Sequence, residues 1–165
     1  RGGATAPRFI AAAWQDAGTP QAPGNALERL QIIKAWVENG EAKERVYDIE
    51  NAPGSPGSVD QNTCTADGTG SKSLCRVWTD PEFNPDQQAL YYLRVLESPS
   101  CRWLQHACNA RAVDCAQPET ISSGLESCCD PAVPKVIRER AWTSPIWYTP
   151  NPPEQLSRAP EHQER

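Results

Sequence analysis

The sequence has no methionine, no dense run of lysine or arginine, and no apolar stretch long enough to cross a bilayer. Without methionine, the chain is expected to be a processed or excised piece of a longer product, and it shows no signal peptide. The formal net charge is −5, with 16 basic and 21 acidic residues. Because binding of nucleic acid needs a clustered basic face, nucleic acid is excluded as a partner. No membrane span is predicted either.

Histidine is also scarce, since only His106 and His162 occur. A lone imidazole is most often a surface residue, so a histidine-based catalytic or metal centre has little support. The stretch from Gly68 to Ser73 fails the phosphate-loop pattern, and no G-x-S-x-G nucleophile turn occurs. The sequence therefore predicts no catalytic residue and no cofactor. Whether the chain is an enzyme stays open, with a non-catalytic role favoured.

Seven cysteines are present, and all of them follow the first 63 residues: Cys64, Cys75, Cys101, Cys108, Cys115, Cys128 and Cys129. They lie in polar, Gly- and Pro-rich connections, a pattern typical of disulfides in a secreted, periplasmic or extracellular protein. We predict a bridge between Cys64 and Cys75, and two bridges with one leftover thiol among the other five. Adjacent Cys128 and Cys129 should have different partners. A zinc site without C-x-x-C pairs is the alternative; its ligands would be Cys101, His106, Cys108 and Cys115.

A hairpin is the clearest local element of the chain. Asn39-Gly40 stands between two strand-like runs, which is the strongest short-range hairpin signal. A two-residue loop sets Ile32 opposite Tyr47 and Leu30 opposite Ile49. These four side chains then share one face of the hairpin, and that face is predicted to be the core.

The same register sets Lys34 opposite Arg45. Like charges across a ladder are unfavourable. Either an acidic group lies between them or the register is shifted. Glu28 and Glu44 are the nearby candidates for that acidic group.

Further strand-like runs, with no alternation of strands and helices, predict a mostly β chain. The fold class expected is an antiparallel, immunoglobulin-like β-sandwich with long disulfide-stapled loops. We assign residues 1–150 to this domain, with a cysteine-rich excursion at 98–134, and residues 151–165 to a Pro-rich tail. The remaining elements are strands at Arg8–Trp14, Leu74–Thr79, Ala89–Glu97 (central) and Trp142–Tyr148 (an edge, or bulged at Pro145), and a helical turn at Trp103–Ala110.

Two sets of side chains are candidates for binding. Acidic and amide groups alternate at the even spacing of a calcium loop, although prolines interrupt them and turn capping is the competing interpretation; they are Asp80, Glu82, Asn84 and Asp86. Aromatic side chains on strand candidates are predicted to lie in the core or an interface, with a sugar-binding platform as the alternative; they are Trp36, Trp78, Trp142 and Trp147.

Several blocks, in order and spacing, resemble the C-terminal region of the domain-of-unknown-function 3604 family. The likeness covers roughly residues 7–150, and the tail falls outside it. The blocks are Leu30–Trp36 (LQIIKAW), Val46–Asp48 (VYD), Val77–Pro85 (VWTDPEFNP), Ala89–Glu97 (ALYYLRVLE), Cys101–Trp103 (CRW) and Glu139–Tyr148 (ERAWTSPIWY).

The resemblance implies a parent protein that is larger, exported and bacterial. Members of that family resemble metal-dependent hydrolases of the polymerase-and-histidinol-phosphatase type, and their His/Asp metal motifs lie N-terminal to this region. None of those motifs occurs here, so the resemblance transfers no catalytic residue to this chain.

Three functional hypotheses follow from the sequence. The first is a non-catalytic accessory or structural β domain that packs against a hydrolase-like parent domain. The second is a processed extracellular subunit that self-assembles with identical subunits through edge strands and tails. The third is a carbohydrate-binding module, with a glycan as its partner.

Overall fold

The computed structural model describes residues 5–54, 56–68 and 70–150. The predicted tail at 151–165 lies outside the described residues. The described part is mostly β, and its sheets are antiparallel. The strands are β1 (Arg8–Trp14), β2 (Leu27–Glu38), β3 (Glu41–Asn51), β4 (Ser58–Asp60), β5 (Thr65–Asp67), β6 (Ser73–Thr79), β7 (Ala89–Glu97), β8 (Ser100–Cys101), β9 (Val136–Ile137), β10 (Arg140–Trp142) and β11 (Ile146–Tyr148).

Helical structure is confined to the cysteine-rich excursion in the described residues. The helix α1 (Trp103–Ala110) has the bounds that the sequence predicts, and two short 3-10 helices follow it at Pro118–Thr120 and Glu126–Cys128. No described helix has the length and apolar composition of a membrane-crossing helix.

The largest sheet has five strands, with the order β10-β7-β2-β3 and with β11 also paired to β7. The predicted central strand Ala89–Glu97 is confirmed as β7, which has partners on both of its sides. The proline prediction is also confirmed, because the last strand divides into β10 and β11 around Pro145.

The predicted hairpin is the β2–β3 pair. Asn39 and Gly40 both have positive φ, 53° and 79°, which is the conformation of a type I′ turn. Tyr47 faces Ile32 as predicted, but the pairing of Leu30 with Ile49 is wrong. A bulge after Leu30 shifts the register there, so that Glu50 becomes the partner of Leu30.

A two-stranded ribbon of β1 and β6 packs on one face of the five-stranded sheet. Side chains from both layers form the core, as the alternation of each strand predicts. The expected hairpin face is confirmed within it, because Leu30, Ile32 and Ile49 are buried and Tyr47 packs against them. The buried set is Ala11, Leu27, Leu30, Ile32, Ile49, Ala52, Leu74, Ala89 and Tyr91.

Three disulfides restrain the loops: Cys64–Cys101, Cys108–Cys128 and Cys115–Cys129. The predicted bridge between Cys64 and Cys75 is wrong, because Cys75 is a free and exposed thiol. Leu74 next to it is buried, so the alternation of β6 points the Cys75 side chain to the outer face of the ribbon. Cys64 bonds to the buried Cys101 instead, and the different partners of Cys128 and Cys129 are confirmed.

Candidate functional site

A buried ion pair lies between the two layers. Lys34 on β2 reaches the segment after β6, where its Nζ lies 2.6 Å from Oδ2 of Asp80. The same ammonium donates to the backbone carbonyl of Glu82 at 2.8 Å, and the Tyr91 hydroxyl donates to Asp80 at 2.7 Å. Burial by itself raises the pKa of Asp80, but hydrogen bonds from Lys34 and Tyr91 outweigh it and hold that pKa below its ordinary value.

A second, more exposed pair continues this cluster. Glu82 accepts hydrogen bonds from Arg45 and from the Tyr47 hydroxyl, the latter at 2.8 Å. Burial, followed by the bond to Glu82, raises the pKa of Tyr47 to about 12. The like charges of Lys34 and Arg45 thus face each other in the predicted register, each beside a carboxylate.

Neither carboxylate is one of the two that the sequence suggested, Glu28 and Glu44. The carboxylates that pair with these cations, Asp80 and Glu82, come instead from the connection between β6 and β7. They are distant in sequence from the hairpin, and only the packing of the ribbon brings them to it.

The four calcium candidates lie in that connection, and Asp80, Glu82 and Asn84 bond to other groups of the chain. Asp80 and Glu82 are engaged by cations, and Asn84 Oδ1 accepts the backbone N–H of Asp86 at 3.0 Å. Asp80 also caps the turn by accepting the backbone N–H of Glu82 at 2.9 Å. The two bonds to backbone N–H groups, from Asp80 and Asn84, are of the turn-capping kind. A calcium site at Asp80, Glu82, Asn84 and Asp86 stays a prediction.

A second buried carboxylate, on β2, holds the loop at Gly57 and the segment between β9 and β10 to the sheet. Glu28, which is 1% exposed, lies between the guanidinium groups of Arg29 and Arg138. It also accepts the backbone N–H of Gly57, and Arg138 donates to the carbonyl of the same residue. Burial opposes ionisation, yet the hydrogen bonds from Arg29 and Arg138 lower the pKa of Glu28 below its ordinary value.

The zinc alternative conflicts with the disulfides. Cys101, Cys108 and Cys115 each belong to a different bridge, so their thiolates are not available together. His106 is exposed, and its ring nitrogen lies within 4.8 Å of the sulfurs of Cys64 and Cys101, which are bonded to each other.

A gap separates the two layers on one side. The ribbon packs mainly on β2 and β3, so part of the inner face of β7 and β11 has no strand opposite it in the described chain. An apolar cavity of about 260 Å³ lies there. Among its lining residues are Phe9, Ala11, Ile32, Tyr91, Leu93 and Ile146.

The strand β1 borders this gap and has an unpaired edge. Within the described residues it pairs only with β6. On the sheet side of the gap Ile146 on β11 is 57% exposed, whereas Ile10 on β1 points to the outer face of the ribbon, together with Cys75. A free edge beside an apolar cavity is the geometry that accepts an added strand.

The four candidate tryptophans divide into two groups. Trp36 and Trp78 pack against the core, whereas Trp142 and Trp147 are 64% and 71% exposed. Both exposed rings point to the outer face of the five-stranded sheet, because their partners on β7, Arg94 and Leu90, alternate with the buried Tyr91. The core-or-interface prediction fits Trp36 and Trp78, and the sugar-binding alternative for Trp142 and Trp147 stays a prediction.

Comparison with known proteins gives one match. A protein-family model described as Protein of unknown function (DUF3604) matches residues 1–150. No curated protein and no solved structure matches the chain.

Proposed function

The chain belongs to the family described as Protein of unknown function (DUF3604), and from this premise we propose that it is a non-catalytic accessory β domain. Its partner is a hydrolase-like part of a larger exported protein, as the resemblance of the family to metal-dependent hydrolases implies. The free edge of β1 beside the apolar cavity is the observation that carries this proposal.

The partner supplies an extended segment that adds a strand to the ribbon. Its backbone pairs with the open edge of β1, and its inward side chains fill the cavity over β7 and β11. Main-chain hydrogen bonds give affinity in such strand addition, while the pockets for alternate side chains give specificity. Ile146 is then covered by the docked segment, which accounts for a large apolar side chain that is otherwise exposed.

The buried polar groups support a scaffold rather than a reaction centre. The carboxylates of Asp80 and Glu28 are both ionised and both held by cations of the same domain. A general acid or base needs a proton affinity near the working pH, and lowered carboxyl pKa values are unsuited to that role. The isolated chain, supplied with divalent metal, is therefore expected to hydrolyse phosphoesters no faster than buffer.

The docking test uses this chain and the separately produced hydrolase-like part of a longer family protein. Mixing them is expected to give a 1:1 complex by size-exclusion chromatography with light scattering. Ile146→Lys should abolish the complex, because Ile146 stands opposite the inward-facing Tyr91 and a charge there projects into the gap. Val37→Lys is the matched control, since Val37 is 63% exposed but lies at the far end of the hairpin.

Hydrogen exchange locates the contact independently. The amides of β1 should gain protection in the complex, while those at the Asn39-Gly40 turn should not change. The docking role is refuted if the two parts do not associate, or if Val37→Lys weakens the complex as much as Ile146→Lys does.

Self-assembly is the second candidate, favoured by the same open edge. Two copies that exchange segments at β1 would cover each other's cavities. The chain alone distinguishes the candidates, because docking to a parent domain predicts a monomer at all concentrations and self-assembly predicts concentration-dependent dimers.

We also propose a secreted or periplasmic location, which the three disulfides favour.

A further inference from the structure

We propose that a cleft on the outer face of the five-stranded sheet binds an acidic oligosaccharide, one whose sugar units carry carboxylates. The inference does not depend on the docking role, because Arg94, Arg140 and Trp142, which carry it, do not line the β1 gap, although Tyr92 and Thr143 border both cavities. Its volume of about 450 Å³ is typical of ligand sites. It is lined by Leu90, Tyr92, Arg94, Arg140, Trp142, Thr143 and Pro145.

The register of the strands builds the cleft. Tyr92 and Arg94 alternate with the buried Tyr91, so they point away from the core. Trp142 on β10 stands opposite Arg94, and Arg140 stands opposite Leu96. The segment after β10 forms the wall and is held by Thr143, whose N–H donates to the Leu93 carbonyl at 3.0 Å and whose hydroxyl accepts the Leu93 N–H at 3.1 Å.

Two exposed indole rings give this face its aromatic surface. Trp142 and Trp147 stand opposite Arg94 and Leu90, which are four residues apart on β7. The rings are therefore roughly 13 Å apart, since a strand rises about 3.3 Å per residue. An amphipathic ring can stack on the apolar face of a sugar. The spacing suits a chain of sugars rather than a single one.

Two guanidinium groups give the cleft its charge. Arg94 donates through Nε to Gln31 Oε1 at 2.7 Å, and no other bond of its guanidinium group is found in the described part of the chain. The side chain of Arg140 has no hydrogen-bond or ion-pair partner among the described residues. No Asp or Glu lines the cleft. In a chain of net charge −5, this is a local cationic site without its own counter-ion.

These features together favour an acidic sugar chain over a neutral glycan and over an apolar protein surface. A guanidinium group binds a carboxylate with two parallel hydrogen bonds, and neutral glycans offer no such partner. An apolar protein surface would leave Arg94 and Arg140 desolvated without a counter-charge, which is unfavourable.

Titration with a short oligogalacturonate tests the proposal, and the methyl-esterified form of the same oligosaccharide is the matched ligand without charge. Calorimetry should show binding of the acid form that weakens as salt rises, and at least about tenfold weaker binding of the ester. Arg140→Gln should weaken binding of the acid form by about tenfold, and Trp142→Ala should also weaken it. Arg140→Gln removes no side-chain hydrogen bond or ion pair of the described chain, so it should leave the melting temperature nearly unchanged.

Two control variants separate this cleft from general surface effects. Arg111→Gln removes an exposed cation at the end of α1, and Trp14→Ala removes a 75% exposed indole from the ribbon. Neither should change the affinity. The proposal is overturned if the acid form does not bind, if the ester binds equally well, if a sulfated oligosaccharide binds and the uronate does not, or if Arg111→Gln weakens binding as much as Arg140→Gln does.

Discussion

Lys34 is a buried cation on the central strand β2, with its side chain 4% exposed. Its ammonium group is the counter-ion of Asp80, and it lies 5.5 Å from the centre of the Trp36 ring. Lys34→Met is expected to destabilise the fold by about 3–5 kcal/mol, because it leaves the Asp80 carboxylate buried without its cation. Urea unfolding followed by circular dichroism measures this change.

The pair, rather than the lysine alone, is the unit to test. Adding Asp80→Asn to Lys34→Met removes the uncompensated charge, so the double variant should be more stable than Lys34→Met. A single variant that unfolds at the same urea concentration as the original chain would contradict the interpretation.

Local elements of this fold are readable from the sequence. The β2–β3 hairpin follows from Asn39-Gly40 and from alternation on both sides of it, since both signals lie within a few residues of the structure that they determine. The sequence signals for the helix α1 and the strand β7 are equally local, because they lie within the elements themselves. The bulge after Leu30 carries no comparable signal, and it displaces the predicted pairing with Ile49.

Non-local partners could not be predicted in this way. Lys34 and Asp80 are 46 residues apart, and Cys64 and Cys101 are 37 apart. Their meeting depends on how the ribbon and the excursion pack on the sheet. The candidate surfaces have the same origin, because the exposure of Trp142 and the open edge of β1 follow from the arrangement of strands and not from their residue types.

The ribbon strand β6 contains the one thiol that the disulfides leave free in the described chain, Cys75. A thiol assay on the native, unreduced chain should give one reactive group per molecule. Cys75→Ser should remove it with little change in stability, because the side chain is exposed. Three reactive thiols would show that one of the three bridges is not formed, and none would show that Cys75 is bonded to another molecule.

The whole molecule should lose stability at both ends of the pH scale. The pKa values of Asp80 and Glu28 lie below their ordinary values of 3.8 and 4.5, so their contribution is present above those values and is lost as the pH falls further. Tyr47 has a pKa raised from 10.0 to about 12, so its contribution is present below pH 10 and is lost as the pH rises through 12.

Melting temperatures measured across the pH scale test both expected losses of stability, the one at acid pH and the one at alkaline pH. Glu28→Gln should flatten the acid side of the profile, and Tyr47→Phe should flatten the alkaline side. An acid limb unchanged by Glu28→Gln would mean that this carboxylate does not link proton uptake to unfolding.

The adjacency of Cys128 and Cys129 has a consequence for how the chain reaches its oxidised form. Because the two sulfurs stand next to each other, exchanging them gives a competing isomer with Cys108–Cys129 and Cys115–Cys128, in which the enclosed rings change length by only one residue. The entropy cost of closing the rings is therefore nearly the same in the two isomers. Selection between them falls to the packing of α1, and a host without a disulfide isomerase should therefore yield a mixture of the native and the swapped species.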